Sequence, residues 1–129
     1  MKRFIAPVLL VAALPSVLAG CIRYNIASDG ISRLRIGETG VVSKGVSVTP
    51  LKLLEDSRCA AGVQCVWAGQ VRVSARVDAN GSSEMREFTS AKPESVGGGT
   101  LTLSEIYPTK TKGVTIFPEE YRFGFTFQK

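Results

Sequence analysis

The feature that most constrains the fold is an alternation. From Gln70 to Val77, the side chains Val71, Val73, Ala75 and Val77 fall on one side and Arg72, Ser74 and Arg76 on the other. A period of two with one apolar and one wet side predicts a strand in a sheet that packs on one face. Asn80-Gly81 follows, the preferred pair for a two-residue hairpin turn, so Glu84 to Thr89 is expected to return antiparallel. Leu101 and Leu103 alternate with Thr100 and Thr102, and Tyr121, Phe123, Phe125 and Phe127 share one face near the end of the chain. Val46, Val48, Leu51 and Leu53 alternate imperfectly across Pro50, which reads as two short strands or one edge strand broken at the proline. Beyond the first twenty residues no stretch repeats apolar side chains at helical spacing over three turns, and no interval repeats itself. Single-faced strands must cover one another, so the expected fold is all-β: a small antiparallel β-sandwich, with a closed β-barrel as the alternative.

The 129 residues leave room for one domain of ordinary size. With 44% hydrophobic and 21% charged residues, the composition is that of a folded globular chain. The chain has no histidine, which removes Ser-His and Cys-His nucleophile pairs, His-ligated zinc and an imidazole proton shuttle.

The N-terminus has a different character. Lys2 and Arg3 precede an apolar run from Phe4 to Leu14, too short for the roughly 20 residues that span a bilayer as a helix. This reads as an export signal. It ends in Leu18-Ala19-Gly20-Cys21, which resembles the lipobox of bacterial lipoproteins. The resemblance implies that Cys21 is acylated and becomes the first residue; an ordinary secretory signal with an incidental cysteine, or a short buried strand, is the alternative. Each buried methylene of an acyl chain contributes about 0.8 kcal/mol, so several chains would hold the protein to a membrane almost permanently. The expected organisation is a signal peptide over residues 1–20, a lipidated tether over 21–33 and one β-domain over 34–129. Its expected location is the cell envelope. With Ile22 and not aspartate after Cys21, a two-membrane source implies the outer membrane, facing the periplasm; a one-membrane source implies the outer face of its only membrane.

Setting aside Lys2 and Arg3 leaves 14 basic and 11 acidic side chains. That balance tolerates an anionic envelope surface but lacks the dense basic stripe of a nucleic-acid binder, so nucleic acid is not an expected partner. With Cys21 given to the lipid, Cys59 and Cys65 remain and are expected to form a disulfide in an oxidising compartment. A redox-active or metal-binding pair is the competing reading. The spacing is not Cys-x-x-Cys, and no further Cys or His completes a soft site, so no metal or cofactor is expected.

The most distinctive words surround that pair: Leu53-Leu54-Glu55-Asp56-Ser57-Arg58-Cys59, then Val63-Gln64-Cys65-Val66-Trp67-Ala68-Gly69. They resemble a segment of a family of small bacterial envelope proteins and lipoproteins without an established activity. The similarity extends through the Gln70–Val77 strand, Ile106-Tyr107-Pro108 and Pro118-Glu119-Glu120-Tyr121-Arg122. Ala60 stands where such proteins often have proline after the first cysteine, leaving the loop less pre-set. Physically the segment reads as a pinned connection between strands. Asp56 suits an Asx turn, Arg58 can pair with Asp56 or Glu55, and Trp67 is expected to seal the core as a folding staple. The functional reading makes Asp56, Arg58 and Trp67 a recognition patch, the indole stacking on a sugar or a partner chain.

Other features carry less. Gly97-Gly98-Gly99 reads as a strand connection, Asp78-Ala79-Asn80-Gly81 as a hairpin turn and not a calcium loop, and Lys110 and Lys112 as a solvated loop that can meet anionic groups. Gly124 marks a bulge or a close contact between strands. No nucleophile-base signature is present, and the adjacent carboxylates Glu55-Asp56 and Glu119-Glu120 would point to opposite faces of a strand, so the chain is not expected to be an enzyme. The expected role is a noncatalytic, membrane-anchored interaction module for another envelope protein or cell-wall glycan. The alternative is a periplasmic inhibitor of a hydrolase, either a peptidase or a cell-wall enzyme.

Overall fold

A computed structural model describes residues 27–129; the leader, Cys21 and its expected acylation lie outside the described residues. Eight strands follow in order: β1 (Ile31–Leu34), β2 (Gly40–Ser43), β3 (Val46–Asp56), β4 (Val71–Ala79), β5 (Ser82–Thr89), β6 (Pro93–Val96), β7 (Gly99–Tyr107) and β8 (Arg122–Gln128). They form two four-stranded antiparallel sheets, ordered β1-β8-β7-β6 and β2-β3-β4-β5. The sheets remain separate, so the fold is the expected sandwich and not the barrel.

The core follows the alternation. Val71, Val73, Ala75 and Val77 of β4 are fully buried, facing Leu101 and Leu103 of β7 and Phe123 and Phe125 of β8. Phe88 of β5 meets Phe125 edge to face, with ring centroids 5.4 Å apart. Each such side chain contributes about 1.5–3 kcal/mol through burial, which makes this layer the main source of cohesion. Asn80 and Gly81 both take positive φ, 51° and 81°, and join β4 to β5 with Ala79 opposite Ser82, as the dipeptide requires.

Two expectations about strands need correction. The first strand starts at Ile31, so Ile31, Ser32 and Arg33, expected in the tether, pair instead with Thr126, Phe125 and Gly124. Buried Ser32 hid the period; its hydroxyl donates to the Val41 carbonyl at 3.2 Å. The Val46–Leu53 region is one continuous strand, running to Asp56. Its register shifts between Pro50 and Lys52 and again between Leu53 and Glu55. Leu51 and Leu54 are the extra residues and stand partly exposed, while Leu53 packs against the core. Pro50 is tolerated because β2 pairs only as far as Val48, leaving the proline nitrogen side without a ladder partner.

The two ends of the sandwich differ. Tight turns between β4 and β5 and between β6 and β7 lie at the end where the chain enters β1, since Ile31 pairs with Thr126 and Thr100 with Gln128. The two long connections, residues 57–70 and 108–121, lie at the opposite end, where Asp56 faces Val71 and Tyr107 faces Arg122.

Candidate functional site

The long-loop end is organised around Asp56, the last residue of β3. Its register partner Val71 is fully buried, so the carboxylate is carried into the mouth of the sandwich, with 8% of its side chain exposed. Asp56 Oδ1 accepts from Arg58 Nε at 2.9 Å and from the Arg58 backbone N–H at 3.3 Å. Oδ2 accepts from Arg58 Nη2 at 2.8 Å and from the Tyr121 hydroxyl at 2.7 Å. Arg58 Nη1 donates to the carbonyls of Ile106 at 3.3 Å and Pro108 at 3.0 Å, the latter just after the cis Tyr107–Pro108 peptide. Lys110 Nζ donates to the Asp56 carbonyl at 2.8 Å. One aspartate thus ties together β3, the end of β7 and the start of β8.

The electrostatics match this geometry. Burial alone would raise the Asp56 carboxyl, but hydrogen bonds from Arg58 and Tyr121 and the guanidinium charge outweigh it and hold the pKa at about 2. The Tyr121 phenol is pushed up to about 12, first by burial and then by the carboxylate to which it donates. Both carboxylate oxygens are engaged, so Asp56 is a latch with no oxygen left open to a substrate. Glu55 points the other way, to Arg72 at 3.2 Å and Gln70 at 3.3 Å.

The latch positions the loop above it. The Cys59–Cys65 disulfide is formed, with Cα atoms 6.0 Å apart. The Cys59 N–H donates to the Ala68 carbonyl at 3.1 Å, and the Ser57 N–H to the Gln70 carbonyl at 2.8 Å. Gly69 takes φ 71°, and a β-carbon there would run into the Ser57 carbonyl, so only glycine closes the base of the loop. A short parallel bridge joins Ala61 to Thr111, with the Ala61 N–H donating to the Lys110 carbonyl at 2.8 Å.

Trp67 overturns the staple expectation. It is 78% exposed, beside Val66 at 92%, and makes no hydrogen bond or ring contact among the described residues. The disulfide and Gly69 narrow the base of the loop, and the indole is left on its outside. Its expected place over the end of the core is held by Tyr121, stacked on Phe123 with centroids 5.7 Å apart. The three residues expected in one recognition patch therefore separate: Asp56 and Arg58 are joined inside, and Trp67 stands outside. Val63, Val114, Phe117 and Tyr107 are exposed apolar side chains of the same end. Tyr121 and Lys110 complete the latch. Tyr121 lies in the core as its pattern predicts, but its bond to Asp56, like that of Lys110, has no local mark in the sequence, because the partners are 65 and 54 residues apart.

Among the described residues no three His, Cys, Asp or Glu side chains converge to hold a metal ion. Comparison of the chain with protein-family models, with curated proteins and with solved structures gives no match in any of the three.

Proposed function

We propose that this chain is a noncatalytic, membrane-anchored envelope lipoprotein that binds another envelope protein through the apolar crest around Trp67. The observation that carries the reading is a tryptophan 78% exposed on a loop held at its base by a disulfide, a glycine without room for a side chain, and a buried ion pair. Exposing an indole and Val66 together is unfavourable in water unless a partner covers them. Holding the loop in advance lowers the ordering entropy of binding. The character of the crest favours a protein pocket over a sugar. Val63, Val66 and Ala68 supply apolar surface beside the ring, and Gln64 is the one side-chain hydrogen-bonding group between them, fewer than a glycan hydroxyl array needs.

The anchoring part of the reading rests on Leu18-Ala19-Gly20-Cys21 and its likeness to a lipobox. The chain enters β1 at the end of the sandwich opposite the crest, an arrangement that suits presentation away from an N-terminal lipid. The pre-set loop also suits a plug for the cleft of a hydrolase, the second reading.

A photo-reactive residue at exposed Gln64, used in intact envelopes, tests the proposal. The expected result is a discrete protein adduct, with affinity for the recovered partner falling about thirtyfold in Trp67→Ala, the order seen for interface anchors. An adduct unaffected by Trp67→Ala, or recovery of glycan alone, would overturn it. A captured hydrolase whose activity falls in proportion to bound protein would establish the inhibitor version.

A further inference from the structure

Across the edge of the β1-β8-β7-β6 sheet lies an open groove of about 770 Å³, lined by Ile31, Arg33, Arg35, Ile36, Glu38 and Arg122 among others. Its three guanidiniums are not equivalent. Arg33 is satisfied: Nη2 lies 2.7 Å from Asp29 Oδ2, and Nε lies 2.9 Å from Glu105 Oε2. The side chains of Arg35 and Arg122 make no hydrogen bond or ion pair among the described residues. Both also line the same groove. Leu34 opposite Phe123 is the last rung of that ladder, and Arg35 and Arg122 are the residues that flank it, Arg35 at the start of the turn after β1. Two like charges lining one groove favour an anion between them. The acidic wall of the groove is Glu38, whose Oε2 accepts the Arg35 backbone N–H at 3.0 Å and so serves the turn after β1.

Two guanidinium forks lining one groove match the oxygens of a phosphate group, which accept paired N–H bonds from each. Ile31 and Ile36 add apolar walls, which suit the carbon portion of an ester beside its phosphate. We propose that Arg35 and Arg122 form a binding site for a phosphate mono- or diester, supplied by a lipid headgroup or by a soluble ligand. Arg122 faces Tyr107, so the site lies at the long-loop end, on the β1 side of its sheet, and it shares no residue with the Trp67 crest and does not depend on what the crest binds.

The test follows the arginine Nε–H resonances of the full chain in nonionic detergent during titration with inorganic phosphate. The same resonances are followed in nanodiscs of phosphatidylcholine, with and without phosphatidylglycerol. The proposal expects saturable shifts at Arg35 and Arg122, with affinity falling roughly tenfold or more in Arg35→Gln and in Arg122→Gln. Arg35→Lys and Arg122→Lys keep the charge and should fall between, because they lose the paired geometry. Lys112→Gln, on the loop at the sandwich end, should bind as the parent does. Shifts reproduced by phosphatidylglycerol in the absence of phosphate support the site with a lipid as its source. Shifts with free phosphate alone support it with a soluble source. No saturable shift from either probe, or binding unchanged in both glutamine variants while thermal unfolding shows them folded, would overturn it.

Discussion

Asp56 joins parts of the chain that no local pattern connects, and its removal should be felt accordingly. Its carboxylate is held by Arg58 and Tyr121, so Asp56→Asn leaves a mostly buried guanidinium without its counter-charge. That change should cost about 3 kcal/mol in urea unfolding, the scale for breaking a buried pair. Tyr121→Phe removes one 2.7 Å bond to a charged acceptor and should cost about 1.5 kcal/mol. The pH dependence has a defined sign. A folded-state pKa of about 2, against 3.8 for the free carboxyl, means that the contribution of Asp56 is complete above about pH 4 and disappears as pH falls through 2. A shift of this size is worth at most on the order of 2 kcal/mol, and solvent screening of the partly exposed Arg58 brings it down toward about 1 kcal/mol. The stability of the parent chain should fall over that window more steeply than that of Asp56→Asn, as measured by urea midpoints at stepped acid pH. Gly124 carries a second residue-scale expectation. Arg33 of β1 reaches Glu105 of β7 across it, and a β-carbon at 124 would stand 2.8 Å from Glu105 Cβ and 3.0 Å from Ile31 Cγ2. Gly124→Ala should destabilise the fold by about 1–3 kcal/mol through overpacking.

At the scale of elements, the disulfide closes a short loop and should contribute about 2 kcal/mol by chain entropy. Reduction should lower the unfolding free energy in urea by that much while leaving the far-UV strand signal intact, because the latch and the Ala61–Thr111 bridge still hold the connection. Strand β5 is a sheet edge and is guarded from its inner side. Arg86 faces Ala75 and Glu84 faces Val77 in register, so two charges point toward the core side of the edge and pair at 2.9 Å. Inward charges of this kind block edge-to-edge pairing. Replacing both with valine should produce dimers or larger species in sedimentation that the parent chain should not form through β5. Much of this level was legible in the sequence. The alternation of Val71 to Val77, the Asn80-Gly81 turn and the run from Tyr121 to Phe127 each obey a rule that a few neighbouring residues satisfy. The bulges at Leu51 and Leu54 were not legible, because each is an agreement between β3 and β4 about register and leaves every residue type permissible. The latch was half legible: Asp56 and Arg58 are two residues apart, but Tyr121, Lys110 and the Ile106 and Pro108 carbonyls arrive from across the fold. Trp67 misled for a related reason. Tryptophan is usually a core residue, and what displaces it outward here is the narrow base of the loop, together with Tyr121 already covering the end of the core.

For the whole molecule, the sandwich separates its tasks by place. The chain enters β1 at the end with the tight turns, the aromatic layer holds the middle, and the far end carries a pinned loop with Asp56 and Arg58 turned in and Val63, Val66 and Trp67 turned out. The claim on which this account rests is that inversion: a buried Asp56–Arg58 latch beneath a tryptophan in water. Trp67 is the chain's one tryptophan, so its fluorescence reports on the crest alone. The most direct test is acrylamide quenching and emission of the native protein, compared with the same protein unfolded in guanidinium. The account predicts nearly the same quenching constant in both states and a native emission already at the long-wavelength position of a hydrated indole. A native emission shifted to the blue and shielded from acrylamide, moving to the red only on unfolding, would place the indole inside and contradict it.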